Sequence, residues 1–150
     1  MGVMSEGVEP PSSLEQAVTG LLLVTGHLTR RLRAETNLRE LTWSQVAIMA
    51  RLDGAGPMTT ADLARAESVK PQTMGGTLAY MEEVGLVERH PHPTDGRQVL
   101  FALTAEGVEA RRQTRIAKEA WLLRAMGKLN PDEQQTLIAA IALIQRLGEA

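Results

Sequence analysis

Two short stretches of this sequence place cations beside side chains that can recognise a phosphate and a base pair. Lys70 precedes Pro71, and the free N–H groups at the start of a helix beginning at Pro71 suit a phosphate. Gln72 and Thr73 come next and suit the edges of base pairs, the glutamine toward adenine and the threonine toward a thymine methyl group. The order of these residue types predicts contact with the major groove of double-stranded DNA.

The second stretch is the connection from Pro91 to Arg97, which contains two prolines and ends in a cation. Because prolines interrupt regular strand pairing, we expect this connection to project as a loop. Arg97 is then well placed to enter an A·T-rich minor groove, where narrowing deepens the negative potential. Asp95 can orient the arginine from two residues away. The alternative is an Asx turn that closes the loop beside an incidental arginine.

Gly75 and Gly76 follow the candidate base-reading residues within the same predicted helix. Each glycine costs about 1 kcal/mol of helix propensity relative to alanine. Either the glycines allow DNA to approach the helix backbone closely, or strong packing elsewhere tolerates a weak helix. Both interpretations stay open on the sequence alone, and both leave fewer side chains for reading bases.

Apolar spacing predicts the helix that must position these residues. Met74, Leu78 and Met81 recur at i, i+4 and i+7, so one side of the helix that begins at Pro71 faces inward. The candidate DNA-binding residues of this helix therefore lie on its outward side. Gly85 follows as the residue after the helix end, in the left-handed conformation that glycine favours.

A shorter helix and two strands complete the arrangement around this helix. Thr59 or Thr60 caps a short helix that precedes it. Residues 86–90 and 98–103 are typical of two short strands joined by the proline-rich loop. Two helices with a tight turn, followed by a two-stranded ribbon, form the plan of a winged helix-turn-helix, here over about residues 41–103.

Long helices are predicted on both sides of this unit, at residues 14–35, 105–129 and 131–148. They are too long and too apolar to serve one small DNA-binding unit, so we expect a two-fold dimer to bury them. A monomeric helical cap is the alternative. The predicted fold class is mainly α with a small β-hairpin wing, a winged helix-turn-helix with a long helical dimerisation region. Residues 1–13 are expected to form a flexible arm before a single domain at 14–150.

The composition excludes several classes of protein. The absence of Cys excludes disulfides, thiolate catalysis and Cys-ligated zinc. A formal net charge of −2 provides no general field that attracts nucleic acid, so DNA binding must depend on a few placed contacts. No catalytic motif or Gly-rich phosphate loop is visible, so we predict a protein that is not an enzyme and needs no cofactor. Without a long apolar run or a signal-peptide pattern, we expect a cytoplasmic protein with no membrane partner.

Six short motifs follow one another along the chain: Leu41-Thr42-(x)2-Gln45, Thr60-Ala61-Asp62-Leu63-Ala64, Val69-Lys70-Pro71-Gln72-Thr73-Met74, Gly85-Leu86-Val87-Glu88-Arg89, Asp95-Gly96-Arg97 and Leu103-Thr104-(x)2-Gly107. Each motif is weak by itself, but their succession between long helices is fairly specific. Over roughly residues 14–148 the chain resembles the MarR (multiple antibiotic resistance regulator) family. It departs from that family at Gly75 and Gly76, where many members carry hydroxyl or Arg side chains.

The resemblance implies a homodimeric transcriptional regulator, usually a repressor that binds a palindromic operator. It also implies release from DNA by a small, often aromatic, ligand. In the resembled family this ligand binds between the dimer helices and the DNA-binding lobe. The candidate ligand-binding residues that follow are His27, Arg31, Trp43 and Met49.

Two other functions stay open. A helical protein-interaction dimer that never touches DNA is favoured by the acidic charge and disfavoured by Lys70, Gln72 and Arg97. A metal-responsive winged-helix regulator is the second alternative, although lone histidines are usually structural and no metal site is predicted. Its candidate ligands are His27, His90 and His92 with Asp95 or Glu88.

Overall fold

A computed structural model describes Pro10 and residues 12–150 of the chain. The helices are α1 (Leu14–Thr36), α2 (Trp43–Ala55), α3 (Thr60–Ala66), α4 (Pro71–Glu83), α5 (Ala105–Met126) and α6 (Pro131–Gly148), and the strands are β1 (Met58–Thr59), β2 (Val87–Pro91) and β3 (Val99–Leu103). This confirms a mainly helical chain with a small β wing. The predicted arm at 1–13 lies largely outside the described residues, since 1–9 and 11 are not among them.

The chain divides into two compact units, residues 1–36 and 37–150. In the described part of the first unit, α1 begins at the predicted residue 14, and Ser13 caps it, because the backbone N–H of Gln16 donates to Ser13 Oγ at 3.2 Å. The second unit contains all the other elements and the hydrophobic core. Among the described residues, no helix is both long and apolar enough to cross a membrane.

The core of the second unit is built around the inward side of α4. Met74, Leu78 and Met81 are at most 3% exposed, as their spacing predicts. Leu63 of α3 and Ile48 of α2 are fully buried in the same cluster. Burying side chains of this size stabilises the fold by about 1.5–3 kcal/mol each. The buried side of α4 therefore determines which of its residues remain at the surface.

The turn between α3 and α4 is closed by backbone hydrogen bonds. The N–H of Ser68 donates to the carbonyl of Arg65 at 3.2 Å, and the N–H of Val69 donates to the carbonyl of Ala64 at 3.0 Å. This is a Schellman motif, in which the residue after the helix end is left-handed. Ser68 occupies that position with φ 55°, although glycine is the usual residue there. The turn therefore holds the start of α4 at a fixed place beside α3.

Gly85 ends α4 with the same motif, and here the sequence predicted the residue. Its φ is 81°, and the N–H of Leu86 donates to the carbonyl of Met81 at 2.9 Å. The turn sends the chain directly from α4 into β2. α4 and β2 are therefore joined by a connection with little freedom.

The sheet has three antiparallel strands in the order β1-β3-β2, so the predicted two-stranded ribbon was incomplete. β1 is only two residues long, too short to produce a detectable alternation, and pairs Met58 with Phe101 and Thr59 with Leu100. The predicted loop also began too early, because Pro91 is the last residue of β2 and pairs with Val99. β2 is an edge strand, where a missing N–H is tolerated.

Side-chain caps begin α2, α5 and α6, and the predicted starts of α5 at 105 and of α6 at 131 are confirmed. Thr42 and Asn130 each form a reciprocal capping box, and Thr104 Oγ1 accepts the N–H of Gly107 at 3.0 Å. α6 spans residues 131–148 as predicted. α5 ends at Met126, three residues before the predicted end at 129, because Gly127 begins a turn that leads to the cap of α6.

Gly107 provides a test of the contact between α5 and the sheet. A Cβ atom at this position would lie 2.2 Å from the carbonyl oxygen of Leu86, a backbone atom that has little freedom to move. We expect Gly107→Ala to lower the free energy of unfolding by about 1–3 kcal/mol, as overpacking does. Chemical denaturation would measure the change.

The matched control is Gly54→Ala, also in a helix, where an added Cβ meets nothing within 4 Å. It should leave the free energy of unfolding unchanged or raise it by up to about 1 kcal/mol. Equal stability of the two variants would contradict the close packing of α5 on Leu86.

Candidate nucleic-acid interface

The outward side of α4 carries the residues that the sequence singled out for DNA. Gln72, Thr73 and Gly76 are exposed, and Gly75 is half-buried. Pro71 is the first helical residue, and Lys70 is the N-cap with extended backbone dihedrals and no side-chain cap hydrogen bond. The free N–H groups of the first turn therefore have no capping side chain, and the positive end of the helix dipole adds to their attraction for an anion.

The tip of the wing is organised by two side chains that accept backbone N–H groups. His92 Nδ1 accepts the N–H of Thr94 at 3.2 Å and that of Asp95 at 3.0 Å. Asp95 Oδ1 in turn accepts the N–H of Arg97 at 3.0 Å. Asp95 thus forms the Asx turn of the alternative interpretation, and Arg97 is the residue that this turn positions.

The role of His92 was missed by the sequence reasoning, which named this residue among the candidate ligands of the metal-responsive alternative. Its Nδ1 accepts the N–H groups of two consecutive residues, Thr94 and Asp95, and so shapes the tip of the wing. The only available signal was the spacing from His92 to Asp95 across a proline. That spacing is compatible with many loop conformations, so it does not identify the acceptor.

A cleft of about 480 Å³ lies between α3, α4 and the wing. Gly75, Arg89 and Arg97 line it, together with Thr59 and Thr60 at the start of α3. The structure therefore brings Arg97 and Gly75, which the sequence singled out separately, to the same cleft. The exposed outward side of α4 adjoins this cleft through Gly75.

Two arginines near this surface are engaged within the protein. Arg89 Nε donates to the two carboxylate oxygens of Glu82 at 2.9 and 3.1 Å, and its guanidinium carbon lies 5.3 Å from the centre of the Phe101 ring. Arg65 forms an ion pair with Asp62 one turn earlier in α3. Their charges are partly balanced before any partner binds.

Lys70 and Arg97 differ from these arginines in their surroundings. Within Pro10 and residues 12–150, neither has an ion-pair partner, and both are exposed. Surface cations of this kind retain their full charge for a partner. They lie at the first turn of α4 and at the wing, the two places that the sequence predicted for phosphate and minor-groove contact.

The four candidate ligand-binding residues have different surroundings, and their role stays a prediction. In the first unit, His27 is exposed and Arg31 forms an ion pair with Glu35 at 3.0 Å. In the second unit, Trp43 is 56% exposed, whereas Met49 is 2% exposed and belongs to the hydrophobic core.

Two histidines of the metal-responsive alternative form contacts within the wing. His90 Nε2 lies 3.1 Å from Glu88 Oε1, and His92 is engaged by the loop amides described above. The part of the chain that the structure describes contains no group of three or more His, Asp or Glu side chains that could hold a metal ion.

Comparison with known proteins identifies the family. The MarR family model matches residues 41–99, which run from the start of α2 to the start of β3. An uncharacterized HTH-type transcriptional regulator of Mycobacterium leprae is 35% identical over 127 residues, 85% of this chain and 89% of that protein. An HTH-type transcriptional repressor of Mycobacterium bovis is 28% identical over 95 residues, 63% of this chain and 68% of that protein.

A solved structure from Pseudomonas aeruginosa, described as that of a transcriptional regulator protein, is also similar. It is 31% identical, has a TM-score of 0.80, and the match covers 94% of this chain and 99% of that one. Proteins of this family are regulators of transcription rather than enzymes, which confirms the prediction made from the missing catalytic motifs. The chain belongs to the MarR family of DNA-binding transcriptional regulators.

Proposed function

We propose that this regulator acts as a homodimeric repressor that binds a palindromic operator through α4 and the wing. The observation that carries the proposal is the pair of exposed, unpaired cations, Lys70 at the start of α4 and Arg97 at the cleft that Gly75 of α4 also lines. The similarity to a mycobacterial protein named as a repressor supports the direction of regulation. Release by a small aromatic effector stays a prediction from the family resemblance.

Each DNA-facing residue has a distinct role in this proposal. Lys70 and the free N–H groups of the first turn of α4 bind a phosphate, which fixes the position of the helix. Gln72 and Thr73 then contact base edges in the major groove. Arg97, held by the Asx turn of Asp95, enters the adjacent minor groove.

The homodimer is supported by the apolar surfaces of the terminal helices, each considered by itself. In the described residues α6 has no buried side chain, yet it carries five large apolar residues between 46% and 62% exposed: Ile138, Ile141, Leu143, Ile144 and Leu147. In α1 the exposed large apolar residues are Leu14, Val18, Leu21, Leu22, Leu23, Val24 and Leu28. Exposed apolar areas of this kind mark interaction surfaces, and a second copy of the chain is the partner we propose.

Two-fold symmetry connects the dimer to the operator. A closed homodimer presents two copies of α4 related by the two-fold axis, so its preferred DNA site repeats one half-site in inverted orientation. For a helix-turn-helix dimer the two half-sites are centred one DNA turn apart, about 34–36 Å.

The experiment that tests the proposed function is selection of duplexes from a random-sequence library by the purified protein, followed by sequencing. We expect an inverted repeat with half-sites about 10 base pairs apart. A labelled selected duplex should then bind more tightly than a scrambled duplex of equal length. Equal affinity for the two would contradict sequence-specific regulation and favour the protein-interaction alternative.

The oligomeric state gives the first prediction. Sedimentation at micromolar concentration should give about twice the chain mass of 16.3 kDa. Ile141→Asp places a charge on the apolar side of α6, where the side chain is 56% exposed, and should shift the protein toward the monomer. Gln135→Asp, on an exposed polar position of α6, is the matched control and should stay dimeric. A monomeric wild-type chain would remove the basis for palindrome recognition.

Arg97 gives the second prediction. Arg97→Ala should weaken binding to the selected duplex by about tenfold or more, because it removes a groove contact. Its melting temperature should stay unchanged, since the side chain is exposed and outside the core. Gel shifts and thermal melts would measure both quantities. Arg115→Ala removes one exposed arginine from α5 and serves as the charge-matched control; an equal loss for both variants would contradict the wing contact.

The salt dependence of binding gives the third prediction. Lys70 and Arg97, counted twice in a dimer, neutralise about four phosphates, so log K should fall against log salt with a slope of about −3.6. Arg65 and Arg89 are already paired with Asp62 and Glu82 and should add little. Titration of the selected duplex at several salt concentrations measures the slope. A slope near zero would contradict phosphate binding by these cations.

A further inference from the structure

The backbone conformation of α4 does not explain why residues 75 and 76 are both glycine. α4 is a continuous helix from Pro71 to Glu83, and neither Gly75 nor Gly76 has the positive φ that favours glycine. Alanine can adopt the same helical dihedrals and would improve the helix propensity by about 1 kcal/mol at each position. The conformation of the chain therefore gives no reason for glycine here.

Packing within the described residues gives no reason for glycine either. A Cβ atom at Gly75 or at Gly76 would meet nothing within 4 Å, in contrast to Gly107, where it would meet a backbone oxygen at 2.2 Å. The burial of Met74 and Leu78 explains how α4 stays helical although its glycines have a low helix propensity. It does not explain why residues 75 and 76 are not a residue with a higher helix propensity, such as alanine. The empty space at the two glycines is on the outside of the protein.

The position of the pair on the helix indicates what could use that space. At about 100° per residue, Gly76 lies about 200° around the helix from the buried Met74, and it is one turn after Gln72. Gly76 is thus at the centre of the outward face, directly below the first candidate base-reading residue. Gly75 lies on the flank, where it lines the cleft shared with Arg97.

We propose that Gly76 is a specificity-determining residue of the DNA interface, because its missing side chain lets base-pair edges approach the backbone of α4 closely. With no Cβ at the centre of the outward face, the helix lies deeper in the major groove. The deeper position brings the side chains of Gln72 and Thr73 within hydrogen-bonding and van der Waals distance of the bases. Gly75 gives the same clearance to the DNA backbone at the entrance to the cleft.

This inference rests on the DNA contact proposed above and adds a requirement of its own. The phosphate contact of Lys70 and the minor-groove contact of Arg97 do not need α4 to lie deep in the major groove, whereas contacts to base edges there do. The effect of filling the glycine positions should therefore be selective. Affinity for the specific duplex should fall, and affinity for a scrambled duplex should change little.

The test measures the affinity of Gly76→Ala for the selected palindromic duplex and for a scrambled duplex of the same length. We expect the specific affinity to fall by about tenfold or more, with a larger loss for Gly76→Leu, and the non-specific affinity to stay within about twofold. The melting temperature of Gly76→Ala should equal or exceed that of the wild type, which separates loss of contact from loss of fold. Gly75→Ala should show a smaller loss of specific affinity.

Gly54→Ala is the matched control, since it makes the same change at an exposed helical position in α2 with open space around it. It should gain stability in the same way and keep the wild-type affinity. A folded Gly76→Ala that binds the specific duplex within about twofold of the wild type would overturn the inference and favour mere tolerance of a weak helix. Failure of the wild type itself to distinguish the two duplexes would instead overturn the proposed function.

Discussion

The burial of one side of α4 is the constraint on which the rest of the DNA-binding unit depends. Met74, Leu78 and Met81 pack in the same core as residues of α2, α3 and the sheet, so the helix has a single stable rotation about its axis. That rotation turns the polar residues of its first two turns to the surface. The DNA-facing side of the protein is thus chosen by apolar contacts on the opposite side of the same helix.

Local signals made most of the fold predictable from the sequence. Capping residues and apolar spacing located helices because both signals depend on residues within one or two turns of each other. The failures were of a different kind. β1 has only two residues and exists because β3 offers it hydrogen bonds, and Pro91 extends β2 because that strand lies at the edge of the sheet. Neither result can be obtained without knowing which strands are neighbours.

The candidate site was predictable to a similar extent and for a similar reason. Lys70 and Arg97 were identified because each stands at a recognisable place, a helix start and a loop end. The sequence does not show that Arg65 and Arg89 are engaged within the protein, where they pair with Asp62 and Glu82. The pairing of Arg89 joins a strand to a helix, so it depends on tertiary distance. The sequence suggested that DNA approaches the backbone of α4 closely at Gly75 and Gly76. The structure adds that packing within the protein does not require glycine there, because the space around both residues is open.

Thr59 makes two structural contacts, and together they couple the wing to the pair of helices α3 and α4. It pairs with Leu100 in the sheet, and its side-chain oxygen caps α3 by accepting the N–H of Asp62 at 3.1 Å. Because no flexible segment separates the strand pairing of Thr59 from the cap of α3, a displacement of β3 would also disturb the first turn of α3. The helix pair and the wing consequently present their contacts as one preorganised body, and DNA binding need not lose much conformational entropy to align them.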